Sequence, residues 1–172
     1  VKLGIPQASR SEKGEAITTM VDPYSYRKKL TMPKMLFMGT NDEYWTVDAI
    51  KHYIDSIPGQ NYVHYVPNVG HDLGDKKQAI AALSAFYGAT LANKPYTICQ
   101  PQLTYSKKGI TLKVNATADV LVDATLWSTT STDADFPNDK WEGKAVELKR
   151  KSSTATAIQT FPKAGYRAFF LD

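Results

Sequence analysis

The feature that most constrains the fold is a pair of short apolar runs, Met35–Met38 and Tyr62–Val66, with a stretch of helical spacing between them. Met35–Met38 follows Pro33 and ends at Gly39, as expected for a strand that is buried on both faces of a parallel sheet. Tyr62–Val66 is rich in residues that favour β-structure and is closed by Pro67, so it predicts a second strand.

Helical spacing follows each predicted strand. After the first strand, Thr46 is a candidate N-cap and Pro58 ends the segment, in which apolar residues recur at intervals of three and four: Val47, Ile50, Ile54 and Ile57. After the second strand, Asp75 and Gln78 form a loose capping box before another apolar face: Ile80, Leu83, Tyr87 and Leu91. This order predicts an α/β fold with a right-handed parallel crossover, in which both strands end at the same edge of the sheet.

The pattern changes after Pro95 to short alternating runs separated by turn residues. Six strands are predicted there: Gln102–Ser106, Ile110–Ala116, Val120–Trp127, Ala145–Leu148, Thr156–Phe161 and Tyr166–Leu171. Six short strands with no helical stretch among them predict a small all-β antiparallel sandwich of the immunoglobulin-like kind. The sequence therefore predicts two domains, an α/β segment over residues 1–94 and a β-sandwich over residues 95–172.

The loops after the first two predicted strands carry residues that could do chemistry. They read Gly39-Thr40-Asn41-Asp42-Glu43 and Asn68-Val69-Gly70-His71-Asp72. An acid after one strand and a histidine after the next is the arrangement of an α/β-hydrolase, in which the histidine takes the proton of the nucleophile and the carboxylate fixes the tautomer of the imidazole. We interpret the chain as the C-terminal part of an α/β-hydrolase, built of parallel strand-helix units, with Asp42 and His71 as candidate catalytic residues.

Each candidate has a structural alternative. Asp42 could cap the following helix or form an Asx turn, and a lone loop histidine such as His71 is commonly a surface residue. Glu43 competes with Asp42 as the acid, and we favour Asp42 because it stands three residues after the glycine that ends the strand. We interpret His52 and His64 as structural, on the exposed side of the first helix and inside the second strand.

The nucleophile of this chemistry is not found in the sequence. In the α/β-hydrolase order the serine precedes the acid and lies in a Gly-x-Ser-x-Gly elbow, and no such motif occurs here. Ser25 is the nearest serine before Asp42, but Pro23 and Tyr24 beside it indicate a loop. The chain opens on Val1, so we interpret it as a piece of a longer protein, expect the serine and the oxyanion hole upstream, and expect this chain alone to be inactive.

Composition and charge exclude several other functions. The net charge of +4 comes from separated basic clusters, not from a basic stripe with aromatic residues, so we expect no nucleic-acid partner. No run approaches the roughly 18 apolar residues of a membrane helix, so we expect no membrane span. The single cysteine and three dispersed histidines do not have the spacing of a metal site, and we expect no metal or other cofactor.

A series of motifs occurs in order along the first half of the chain: Asp22–Arg27, Leu30–Lys34, Gly39–Trp45, Ile57–Gly59 and Tyr65–His71. This series resembles the PhoPQ-activated pathogenicity-related protein family. The resemblance implies a secreted or periplasmic α/β-hydrolase with a C-terminal β domain that acts on ester or peptide-type bonds. It also places Asp42 and His71 at the acid and histidine positions of the family.

Two hypotheses follow for the function. The first is that the chain is the C-terminal fragment of a serine hydrolase that acts on a small-molecule or peptide ester or amide. Because two strands cannot bury a sheet alone, we expect the missing N-terminal hydrolase portion or a second copy to cover Met35–Met38. The alternative is a non-catalytic module that binds carbohydrate or protein through aromatic residues of the sandwich, although such residues are more typical of a core: Trp127, Phe136, Trp141 and Tyr166.

Overall fold

The computed structural model describes residues 11–117 and 120–172. The chain divides into two compact units, the first formed by the described part of Val1–Leu36 with Ala49–Tyr62, and the second by Phe37–Asp48 with Val63–Asp172. The loop Gly39–Glu43, which carries Asp42 and is called the acid loop below, belongs to the second unit. The loop Asn68–Asp72, which carries His71 and is called the histidine loop, belongs to the same unit. The predicted division into residues 1–94 and 95–172 stays a prediction.

The first unit contains helix α1, Glu12–Val21, and a 3-10 helix, Pro23–Lys29. Ser11 caps α1, because its hydroxyl accepts the backbone N–H of Gly14 at 3.1 Å. Ser25 lies within the 3-10 helix, so it does not occupy the strand-to-helix elbow that a hydrolase nucleophile requires.

Two strands of the first half form a two-stranded sheet: β1, Lys34–Gly39, and β2, Asn61–Val66. The N–H of Lys34 donates to the carbonyl of Gln60, and the N–H of Thr40 donates to the carbonyl of Val66. Because the starts of the strands pair with each other and so do their ends, the strands run in the same direction. The acid loop and the histidine loop therefore begin at the same edge of this pair.

The predicted fold class, parallel strand-helix units of an α/β-hydrolase, is wrong for this chain. The structure consists mostly of strands in small antiparallel sheets, with few helices. The segment predicted as the crossover helix forms two short 3-10 helices, Ala49–His52 and Ile54–Ser56. Thr46 does not cap a helix, because its hydroxyl donates to the carboxylate of Asp48 at 3.2 Å. The three isoleucines of the segment are β-branched, which further lowers its preference for an α-helix.

The second predicted helix is present as α2, Lys77–Leu91. It begins after Lys76, which has a left-handed backbone with φ of 62°, and the carboxylate of Asp75 accepts the N–H of Lys77 at 3.0 Å. The apolar face predicted for it is largely exposed, with Tyr87 58% and Leu91 82% exposed. Neither α2 nor any other helix in the described ranges is long and apolar enough to cross a membrane.

Six strands follow in the described residues and form two antiparallel sheets, with the orders β3-β4-β7 and β6-β5-β8. Their bounds are β3 Cys99–Ser106, β4 Gly109–Ala116, β5 Thr125–Ser131, β6 Glu142–Ala145, β7 Thr154–Thr160 and β8 Tyr166–Leu171. Each predicted strand overlaps one of these, although the fourth shares only Ala145 with β6. The two sheets are compatible with the predicted β-sandwich.

Trp141 is the largest fully buried side chain in the described residues, at 2% exposure. The centroid of its ring lies 5.5 Å from that of Phe170 and 6.4 Å from that of Phe136, and Phe170 also contacts Tyr65 at 5.2 Å between ring centroids. Trp141 therefore belongs to the core and cannot present its face to a sugar. Of the four aromatic residues proposed above for a binding platform, Tyr166 is exposed, at 54%.

Candidate active site

Asp42 and His71 lie within hydrogen-bond distance of each other. Nδ1 of His71 is 2.9 Å from Oδ2 of Asp42. Asp42 is 4% exposed, whereas the side chain of His71 is 60% exposed. The carboxylate is therefore enclosed by protein while the imidazole faces solvent. The two residues are placed together as their positions after β1 and β2 indicated, and their catalytic role stays a prediction.

The second oxygen of the Asp42 carboxylate holds the loop that follows it. Oδ1 accepts the backbone N–H of Tyr44 at 2.8 Å and that of Trp45 at 3.0 Å. This is the Asx-type turn weighed above as the alternative role of Asp42. Both roles coexist, because one oxygen of the carboxylate serves the turn and the other faces His71.

These contacts decide the pKa of Asp42. Burial raises the pKa of this carboxyl, but hydrogen bonds from the N–H of Trp45, from His71 and from the N–H of Tyr44, together with the charge of His71, hold the pKa below its ordinary value of 3.8. The carboxylate is therefore ionised at neutral pH and can only accept hydrogen bonds. In the neutral form of His71, Nδ1 faces this carboxylate and therefore carries the proton, which leaves the lone pair of Nε2 available to act as a base.

Asp42 should stabilise the folded chain at neutral pH and lose this contribution in acid. Because its pKa is lower in the folded chain than in the unfolded chain, the contribution is fully present above the ordinary value of 3.8 and is lost as the pH falls through the lower folded value. Urea unfolding midpoints, measured from about pH 7 to about pH 3, should fall less steeply for Asp42→Asn than for the wild type. Equal slopes for the two proteins would contradict this prediction.

The other acid and the other histidines lie elsewhere. Glu43, the competing acid, is exposed. His64 lies inside β2 with the edge of its ring against Phe37, at 5.7 Å between centroids, and His52 ends the 3-10 helix Ala49–His52. Across residues 11–117 and 120–172, no group of three or more histidine, cysteine, aspartate or glutamate side chains is placed to hold a metal ion.

Gly39 allows the acid loop and the histidine loop to lie side by side. A Cβ at this position would lie 2.3 Å from the carbonyl oxygen of Gly70 and 2.5 Å from that of Val69, so no other residue fits without moving the backbone. Within the histidine loop, the residue with a positive φ is Asn68, at 59°.

Two aromatic residues beside the pair were missed by the sequence analysis. The ring of Tyr44 meets the ring of His71 edge-on, with centroids 5.5 Å apart and an angle of 73° between the planes. Tyr44 is 77% exposed and Trp45 is 58% exposed. The available signal was their position directly after the acid loop, where large apolar side chains could border a bound substrate.

The comparisons with known proteins cover most of the chain. A family model described as "PhoPQ-activated pathogenicity-related protein" matches residues 1–137. The chain is also 25% identical over 177 residues to "Autocrine proliferation repressor protein A" of Dictyostelium discoideum, a match that covers 91% of this chain and 36% of that protein. The chain thus spans about a third of the length of this curated relative. No solved structure matches it.

Proposed function

Because the chain belongs to the PhoPQ-activated pathogenicity-related protein family, and because His71 faces an enclosed carboxylate, we propose that it supplies the acid and the base of a serine hydrolase that cleaves an ester or amide bond. The observation that carries this proposal is the hydrogen bond of 2.9 Å between Nδ1 of His71 and Oδ2 of the buried Asp42. A histidine held in this way has one nitrogen fixed and the other free for proton transfer.

The chemistry of the pair follows from the state of its protons. Nε2 of His71 accepts the proton of a serine hydroxyl as the serine oxygen attacks the carbonyl carbon of the substrate. The imidazolium formed in this step is stabilised by the ionised carboxylate of Asp42. It then returns the proton to the leaving alcohol or amine, and water hydrolyses the acyl-serine by the same proton transfers in reverse order.

The serine and the oxyanion hole belong, in this proposal, to sequence outside these 172 residues. Two observations support a longer functional protein: the sequence contains no Gly-x-Ser-x-Gly motif, and the chain spans 36% of its relative. The remaining portion, or a second copy, would also cover the exposed apolar face of α2, on which Tyr87 is 58% exposed. A secreted or periplasmic location and a small-molecule or peptide substrate complete the proposal.

Labelling with a serine-directed fluorophosphonate tests this function. We expect the full-length gene product to take up one phosphonyl group, on a serine outside residues 1–172, and the 172-residue chain alone to take up none. His71→Ala should abolish the labelling, because the serine is then not deprotonated. His52→Ala is the matched control and should label like the wild type. Labelling that persists in His71→Ala, or no labelling of the full-length protein, would contradict the proposal.

A further inference from the structure

The side chain of Asn68 joins the histidine loop to Trp141. Oδ1 of Asn68 accepts the backbone N–H of Trp141 at 2.8 Å, and Nδ2 donates to the carbonyl of the same residue at 3.0 Å. The amide therefore pairs with both backbone groups of a residue 73 positions later in the chain. An asparagine is suited to this contact, because its side chain offers a donor and an acceptor side by side.

Asn41 joins the acid loop to the same part of the chain. Its Nδ2 donates to the carbonyl of Pro137 at 2.7 Å and to the carbonyl of Asp139 at 2.8 Å. We call residues 137–141 the anchor segment. Since Asn41 directly precedes Asp42, these two bonds fix the backbone from which the carboxylate extends.

The hydroxyl of Thr40 connects the two asparagines. It donates to Oδ1 of Asn41 at 2.8 Å and accepts the backbone N–H of Asn68 at 2.8 Å. Thr40 is fully buried. Hydrogen bonds therefore run without interruption from Asn68 through Thr40 to Asn41, and both loops are fixed to each other and to the anchor segment.

The backbone conformation of Asn68 is a second reason why asparagine suits this position. Its φ of 59° lies in the left-handed region, which asparagine, aspartate and glycine adopt more readily than other residues. Asn68 also lies three residues before His71. A movement of its loop therefore changes the position of the imidazole directly.

We propose that Asn68 and Asn41 are positioning residues, which hold His71 against Asp42 by fixing their loops to the anchor segment. The role of the anchor segment is then to set the distance and orientation of His71 relative to Asp42. The expected effect of these residues on kcat rests on the proposed function, whereas their expected effect on the position and tautomer of His71 does not. A misplacement of about 1 Å in a catalytic group can cost about 10²-fold in rate.

Asn68→Asp tests the proposal. Aspartate has the same shape and tolerates the left-handed backbone, but it places an oxygen against the carbonyl of Trp141 where the amide donated. In the 172-residue chain, we expect the ring ¹⁵N chemical shifts of His71 to change from those of the Nδ1–H tautomer towards those of a mixture of both tautomers. The signals of His71 are assigned by their absence in the spectrum of His71→Gln. In the full-length gene product, kcat for ester hydrolysis should fall by about 10²-fold with KM unchanged.

Asn115→Asp is the matched control. The side-chain oxygen of Asn115 accepts the hydroxyl of Thr154 at 2.9 Å, and aspartate preserves this contact, so the tautomer of His71 should not change. If circular dichroism shows that Asn68→Asp does not fold, the tautomer of His71 is measured in Thr40→Ser and Thr40→Val instead. Serine keeps the hydroxyl that connects the two asparagines, so the tautomer should not change. Valine keeps only the shape of the side chain, so the tautomer should change. Retention of the Nδ1–H tautomer in the folded Asn68→Asp chain, or in Thr40→Val, would overturn the proposal. If the wild type hydrolyses no ester, the proposed function fails and the tautomer alone decides this inference.

Discussion

His71→Ala in the full-length gene product should lower kcat for p-nitrophenyl ester hydrolysis by about 10⁶-fold, and Asp42→Asn should lower it by about 10⁴-fold. In the proposed mechanism, the histidine variant loses the group that moves the proton. In Asp42→Asn the amide can donate to Nδ1 of His71, so the imidazole takes the Nε2–H tautomer and has no lone pair for the serine. Because neither residue is expected to carry substrate binding, KM should change little, and steady-state kcat and KM measure the result.

Glu43→Gln is the control for the acid. Glu43 is the neighbouring carboxylate, but it is exposed, so its loss should leave kcat close to the wild-type value. A loss of kcat in Glu43→Gln as large as that in Asp42→Asn would show that the wrong carboxylate has been assigned. Equal rates for the wild type and His71→Ala would remove the catalytic role altogether.

The candidate site could be predicted from local sequence because its position depends on the ends of two strands. The apolar runs before Gly39 and Pro67 predict β1 and β2, and these strands run side by side in the same direction. Residues that directly follow such strands are brought to one edge whatever the rest of the fold is. This local arrangement brings Asp42 and His71 to the same edge, where their side chains lie 2.9 Å apart.

The α/β fold class could not be predicted correctly, because spacing alone does not distinguish an α-helix from successive 3-10 turns. Apolar residues at intervals of three and four suit both. The competing interactions decide the outcome here: Thr46 binds the side chain of Asp48, and β-branched residues weaken the helix. The strand pattern after Pro95 was more informative, because alternation with a period of two is specific for strands.

The contacts that hold the site together could not be predicted either, because they are distant in sequence. Asn68 lies 73 positions from Trp141, and Asn41 lies 96 positions from Pro137. An asparagine in a loop predicts a turn, and nothing in its neighbours indicates which backbone groups its amide will meet. The acid–histidine pair and the anchor segment, residues 137–141, lie in one compact unit.

Trp141 combines two roles in this unit. Its ring fills the core against Phe136 and Phe170, and its backbone binds the amide of Asn68. Its Nε1 is buried and has no hydrogen-bond partner among the described residues. The ring therefore stabilises the fold by apolar burial, not by a hydrogen bond from the indole, and removal of the ring leaves a cavity beside the anchor segment.

Trp141→Ala should lower the free energy of unfolding of the 172-residue chain by about 3–5 kcal/mol, as measured by urea unfolding. That is a large part of the total stability of a domain, which is about 5–15 kcal/mol. Trp141→Phe should cost less, because it keeps an aromatic ring and removes the unpaired N–H. Trp45→Ala is the matched control: this tryptophan is 58% exposed, so its removal should change stability by only about 0.5 kcal/mol. A similar loss for Trp141→Ala and Trp45→Ala would contradict the placement of Trp141 in the core, since burial at 2% exposure is what separates the two residues.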